Sequence, residues 1–299
     1  MQMKTYSIRY FFLLLTITFS PLLRAQHNGH VADSLVFVQT IWHTDTLDGC
    51  FCHQYHFTAA QPLFGACQYI SFIEIPKKSP VHLQFVSDTI LTRVSTFAQR
   101  HHAIAGINGS YFNMSTGAPV CFLRIDGITL GENEPSRHDS LHRKYYQNAV
   151  LRLSSKGGIR FTFPEEIRTD EHHMRDSNIM TTGPMLLYHG SYVPQRSDRR
   201  FVYGRHNRTA IGRRPDGTML LLVADGRAKG EAAGLSIPEL ARVMRWLGCS
   251  EAANLDGGGS SVMYTCLHDT DTIVNHPSDN GHFDAQGERR VANAILVVR

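Results

Sequence analysis

Short apolar runs closed by turn residues, with few helical patterns among them, are what most restrict the folds open to this chain. Strands are predicted over 35–41, 68–75, 82–86, 103–107, 149–153, 178–180, 185–188 and 292–298. Pro215-Asp216-Gly217 forms a hairpin turn between Ala210-Ile211-Gly212 and the run 219–224. One helix is well marked. Ser236 caps it, Glu239 completes a capping box, Leu240, Val243, Met244 and Leu247 share a face, and Gly248 stops it. A weaker helical pattern covers 89–100, with Val94 and Phe97 inward. Strands outnumber helices without regular alternation, which argues against a doubly wound sheet. The expected fold is α+β: a strand-rich single domain with a few helices packed on mixed or antiparallel sheet.

Residues 1–25 read as an export signal. Lys4 and Arg9 precede the apolar run 10–19, and Ala25 offers a cleavage point, so 26–299 is the expected mature domain. The apolar run is short for a bilayer span and no later stretch is long and uncharged enough, so no stable membrane insertion is expected. The predicted location is the periplasm or the exterior. A formal charge of +4, with basic residues scattered or paired with acids as over 196–200, is no nucleic-acid footprint. The 17 histidines include the doublets His101-His102 and His172-His173, which lack metalloprotease spacing and read as surface or capping groups. Six cysteines in an exported chain can form disulfides, although a domain this large does not need them. Their connectivity and the oligomeric state stay open.

The polar motifs fall at strand ends, where loops converge while a sheet holds them. Asn108-Gly109-Ser110-Tyr111-Phe112 follows 103–107, Thr181-Thr182-Gly183-Pro184 follows a strand, Asp225-Gly226-Arg227 follows 220–224, and Asp256 follows 252–255. Taken singly each reads as a turn, Asn108-Gly109 above all, since that dipeptide is a strong hairpin signal. The stretch Asp256-Gly257-Gly258-Gly259-Ser260-Ser261 stands apart. Three glycines free the backbone for positive φ and close approach to an anion, the serines add hydroxyls, and Asp256 adds a charge or a base.

In their order, Gly106 to Phe112, Thr182-Gly183-Pro184, Arg208 to Gly212, Asp225-Gly226-Arg227 and Asn254 to Ser261 resemble the phosphodiester glycosidase family, with the match clearest over 103–299. The resemblance implies an exported hydrolase that cleaves the glycosidic C–O bond of a sugar 1-phosphodiester, or of a cell-envelope glycan carrying one, releasing free sugar and a phosphomonoester. Such cleavage develops positive charge at the sugar ring and negative charge on the departing phosphate. Asp256 and Asp225 are the candidates for base, nucleophile or stabiliser of the cationic carbon. Arg208 and Arg227 are the candidates for bidentate phosphate contacts, helped by the N–H groups of Gly257, Gly258 and Gly259 and by Ser260. Asn108, Tyr111, Thr182 and Gly183 are assigned to sugar binding, with Tyr111 stacked on the ring. Glu239 reads as a cap, and His206 as either a surface group or a phosphate ligand. No metal is assigned and no cofactor is expected, although the two aspartates could hold Ca²⁺ or Mg²⁺. Two other functions compete: a metal-dependent phosphodiesterase breaking P–O, and a non-catalytic glycan-binding protein.

Overall fold

The computed structural model describes residues 32–135, 143–155, 157–164, 171–195, 199–267 and 270–299. The export signal read over 1–25 lies outside the described residues. Among the described residues the strands form three sheets, and every strand pairing is antiparallel. The largest runs, in spatial order, His43–Leu47, Cys50–Phe57, Gln68–Ile75, Met219–Ala224, Arg208–Arg213, Glu251–Asn254, Met185–Tyr188 and Ser191–Tyr192. A second consists of Thr270–Ile273, Met263–Leu267, Ala105–Asn108, Val291–Val298 and His82–Thr92. The third consists of Ile128–Gly131, Leu123–Ile125, Asn178–Thr182, Ala149–Leu153 and Ile159–Thr162.

The centre of the large sheet is covered on both faces, which is why its strands are continuous apolar runs rather than alternating ones. In Met219–Ala224 all six side chains are buried. Leu221 and Val223 enter a core that also takes Ile107 and Ile295 from the second sheet and Leu151 and Met180 from the third. Leu220 and Leu222 point the other way, into a cluster with Phe37, Leu240 and Met244. Each such leucine contributes roughly 1.5–3 kcal/mol of transfer free energy. The rigid sheet that results is what fixes the ends of its strands in space.

The helix Ile237–Trp246 has the expected cap. Ser236 Oγ accepts from Glu239 N–H while Glu239 Oε2 accepts from Ser236 N–H at 2.8 Å, and Gly248, at φ +88°, ends the run. Glu239 also pairs with Arg205, so its work is structural. Two expectations fail. The β-branched run at 35–41 is not a strand: residues 32–38 form a helix, because Phe37 packs among Trp42, Phe57 and Trp246, a gain that local propensity does not register. The helix read over 89–100 is only Val94–Arg100, since the preceding strand runs on to Thr92, opposite Val291. All six cysteines are free thiols rather than disulfides.

Candidate active site

Three neighbouring strands of the large sheet bring their motifs to one edge. Arg208 pairs with Ala224 and Ala210 with Asn254, so Asn207-Arg208, Asp225 and Asp256 leave the sheet side by side. Asn108 ties this edge to the second sheet. Its Nδ2 donates to the Asp256 carbonyl at 2.7 Å, and its Oδ1 accepts from Thr209 Oγ1 and Val262 N–H. Asn108-Gly109 is therefore no hairpin, and both ends of the buried amide are spent on the frame instead of on a sugar.

Gly258–Ser260 is a single 3₁₀ turn, with Gly258 at φ +64°. The expectation that the glycine N–H groups bind an anion fails for two of the three. Gly257 N–H donates to Asp256 Oδ1 at 2.9 Å, and Gly258 N–H to the Asn207 carbonyl at 2.9 Å. What the glycines supply is room. A Cβ on Gly257 would stand 2.7 Å from the Asn207 oxygen, one on Gly258 would stand 2.9 Å from the Arg227 guanidinium, and one on Gly259 would overlap the guanidinium of Arg289. Two cations thus rest directly on the loop.

These cations are held differently. Arg289 is fixed by Asp279, whose Oδ1 accepts from Nε at 2.9 Å. Arg227 is exposed and sits at φ +62°, a conformation unusual for a residue with a Cβ and therefore worth a functional reading. A third, Arg208, is buried, with Nε and one amino group donating to the carbonyls of Leu235, Phe201 and Gly204 and its plane 4.8 Å from the Phe201 ring. Burial draws its pKa down to about 10, so it remains charged at neutral pH. His206 lies in the same field, and burial followed by the charges of Arg208 and Arg227 lowers its pKa, which favours the neutral ring.

Of these cations, Arg289 acts on Asp256. Burial pushes its carboxyl up to about 6, against the opposing pull of Ser260, the Gly257 N–H and Arg289. Two buried polar atoms around the loop, Asn207 Nδ2 and Ser261 Oγ, have no hydrogen-bond partner among the described residues, the condition expected where a ligand or water completes the set.

Asp225 has a different task. It is fully buried, and its carboxylate accepts from Asn275 Nδ2 at 2.8 Å, from His276 N–H at 2.7 Å and from His276 Nδ1 at 2.9 Å. Burial raises its pKa, with His276 the largest opposing influence. A carboxylate at Nδ1 favours the proton on that nitrogen, and Nε2 has no hydrogen-bond partner among the described residues; the ring is stacked on Phe283 at 3.8 Å and met edge-on by Tyr69. Asn275 also donates to the Ser261 carbonyl, which links this pair to the glycine loop. Asp225 thus holds the His276 ring and is not an open carboxylate.

Tyr111, Thr182 and Gly183 stand behind the loop. Tyr111 OH donates to the Gly183 carbonyl and accepts from Asn254 Nδ2, both at 2.7 Å, and its ring packs on Tyr146 instead of lying open for a sugar. Thr182 is buried and donates to the Asn254 carbonyl at 3.0 Å. The structure therefore brings Asp256, Gly257 to Ser260, Arg227 and Arg289 together, and places Arg208, Asn108, Tyr111, Thr182, Gly183 and Asp225 in the frame around them. Sequence reasoning missed Arg289 and His276. Among the described residues no group of three or more His, Cys, Asp or Glu side chains is arranged to hold a metal ion.

Comparison with known proteins bears on the family and the fold. N-acetylglucosamine-1-phosphodiester alpha-N-acetylglucosaminidase of Mus musculus is 36% identical over 186 residues, which is 58% of this chain and 33% of the mouse protein, so the chain matches about a third of that relative's length. The catalytic domain of the zebrafish enzyme, described as auto-inhibited by its pro-peptide, superposes with a TM-score of 0.61 at 18% identity, over 87% of this chain and 89% of that one. A Synechocystis protein superposes with a TM-score of 0.58 at 17% identity, over 87% and 64%. These two share the fold. The phosphodiester glycosidase family model matches residues 101–298. With two thirds of its length under that model, including the whole strand-end cluster, the chain belongs to the phosphodiester glycosidase family.

Proposed function

We propose that the protein is an exported hydrolase that breaks the glycosidic C–O bond of a sugar 1-phosphodiester, releasing free sugar and a phosphomonoester. The observation that supports this reading is the placement of the Arg227 and Arg289 guanidiniums against Gly258 and Gly259 of one loop, with Arg289 also acting on the Asp256 carboxyl that leads into it. A phosphodiester seated on the two cations puts its sugar carbon near a carboxylate. Cleavage leaves the bridging oxygen and its electron pair on phosphate, where the arginines stabilise the new charge, so the leaving group needs no proton in the transition state. Water supplies a hydroxyl to C1 with Asp256 as its base, or Asp256 attacks first and water releases the sugar. His276 Nε2, oriented by Asp225, is available to move the remaining proton. The relative's activity on N-acetylglucosamine 1-phosphodiesters makes that sugar the first to try.

Hydrolysis of a panel of sugar 1-phosphodiesters in ¹⁸O-labelled water tests the reading. Label in the sugar is expected. Label in the phosphate would mean P–O cleavage by a phosphodiesterase, and binding of the panel without turnover would mean a glycan-binding protein; either result overturns it.

A second prediction concerns Arg289. Arg289→Lys keeps the charge but loses the planar two-point contact with phosphate and the grip of Asp279, so kcat/KM is expected to fall by about 10²-fold, in the range of one lost oxyanion donor. A rate within twofold of wild type would remove Arg289 from the phosphate site.

A further inference from the structure

Arg227 belongs to two places at once. Its guanidinium rests on Gly258, and it also lines an open groove of about 420 Å³ whose other walls include Ala66, Cys67, Ala228, Ala232 and Ala233. That volume falls in the roughly 300–1,000 Å³ range of small-molecule sites. We infer that this groove holds an alkyl chain esterified to the substrate phosphate on the side away from the sugar. The inference rests on the sugar 1-phosphodiester reading for the identity of the whole substrate, but the groove's affinity for an alkyl phosphate can be measured without turnover.

The wall chemistry selects the occupant. Four alanines and a thiol present small apolar surface, and among the described residues no carboxylate, hydroxyl or amide side chain lines the groove. A second sugar or a nucleobase would find few partners for its polar edges, whereas a methylene chain needs none. The charged members, Arg227 and Lys229, are both cations, which suits a chain carrying a phosphate and opposes one carrying an ammonium group. The walls are also built instead of loose. Ala228 and Ala232 exchange backbone hydrogen bonds at 3.1 and 2.9 Å, and Ala233 N–H donates to the Cys67 carbonyl at 2.9 Å, tying the loop after Asp225 to the turn before Gln68–Ile75. Hydrolysis at the sugar carbon leaves the bridging oxygen with phosphorus, so the product remaining in the groove is a monoalkyl phosphate.

Cys67 reports occupancy, being a half-exposed free thiol on the groove wall. In the full chain, octyl phosphate is expected to slow N-ethylmaleimide labelling of Cys67, followed by peptide mass spectrometry, by about tenfold or more at a concentration where inorganic phosphate changes it less than twofold; two buried methylenes alone are worth about tenfold in affinity. Equal protection by the two anions, or none by either, overturns the proposal. Matched octyl and methyl sugar 1-phosphodiesters are assayed beside it. Protection by octyl phosphate with neither ester hydrolysed would sink the hydrolase reading and leave the groove standing. Turnover of both esters at one kcat/KM, without protection, would do the reverse.

Discussion

Asp256→Asn is expected to lower kcat/KM by about 10²–10⁴-fold, the range of a positioned acid or base, while leaving the fold intact. The substitution keeps the shape of the side chain and an oxygen able to accept from Gly257 N–H, so the loop geometry survives and only the charge goes. Steady-state kinetics on any sugar 1-phosphodiester that the wild type hydrolyses would decide it. Wild-type rates in the variant would take the carboxylate out of the chemistry. In the proposed mechanism the ionised form is the base or nucleophile, and burial lifts its pKa to about 6, so kcat/KM of the wild type should also fall as pH drops below about 6.

Stability should respond to the same group with the opposite sign. The unfolded carboxyl titrates near 3.8 and the folded one at about 6, so the folded chain binds this proton more tightly. The contribution of Asp256 to stability is therefore greatest at low pH, declines between about 4 and 6, and stays low above that. A two-unit difference corresponds to at most about 3 kcal/mol. Asp256→Asn escapes that cost, and its Tm at pH 7 is expected to lie above that of the wild type. A residue that gains function at the expense of stability is the usual mark of a working site. A lower Tm in the variant would mean that the surroundings favour the charged form after all.

Legibility in the sequence followed the range of the forces involved. Gln68–Ile75, Met185–Tyr188 and the capped helix Ile237–Trp246 could be read directly because their signals are local: alternation, turn residues, a capping box. The helix at 32–38 could not, since it depends on an aromatic cluster drawn from residues as far away as Trp246. The same holds at the site. Asp256 and its glycines were visible as a motif, but their use was misjudged, because whether a glycine offers its N–H or its missing Cβ depends on what packs over it. Arg289 sat in a Glu-Arg-Arg run that looks solvated, and only its closeness to Gly259 gives it meaning. His276 lay in a polar stretch without periodicity, 51 residues from the Asp225 that orients it. Asn108 and Tyr111 carried the right chemistry for a sugar, and the fold spends it internally.

Gly258→Val is the sharpest test of the glycine loop. Gly258 stands at φ +64°, where a β-branched side chain is strained by roughly 1–3 kcal/mol. Its new Cβ would also lie 2.9 Å from the Arg227 guanidinium and displace it from the loop. Backbone strain alone can be measured elsewhere. Gly127 has φ +82° in the turn between Leu123–Ile125 and Ile128–Gly131, and a Cβ there meets nothing within 4 Å. Gly127→Val is accordingly expected to lower Tm while kcat/KM stays within about twofold of wild type. Gly258→Val is expected to lower Tm by a similar amount and kcat/KM by at least about 10²-fold, the loss associated with one phosphate-stabilising donor. The contrast separates a strained turn from a seat for Arg227. If both variants lose only stability, the three glycines after Asp256 form an ordinary turn, and Arg227 contributes nothing through its contact with them.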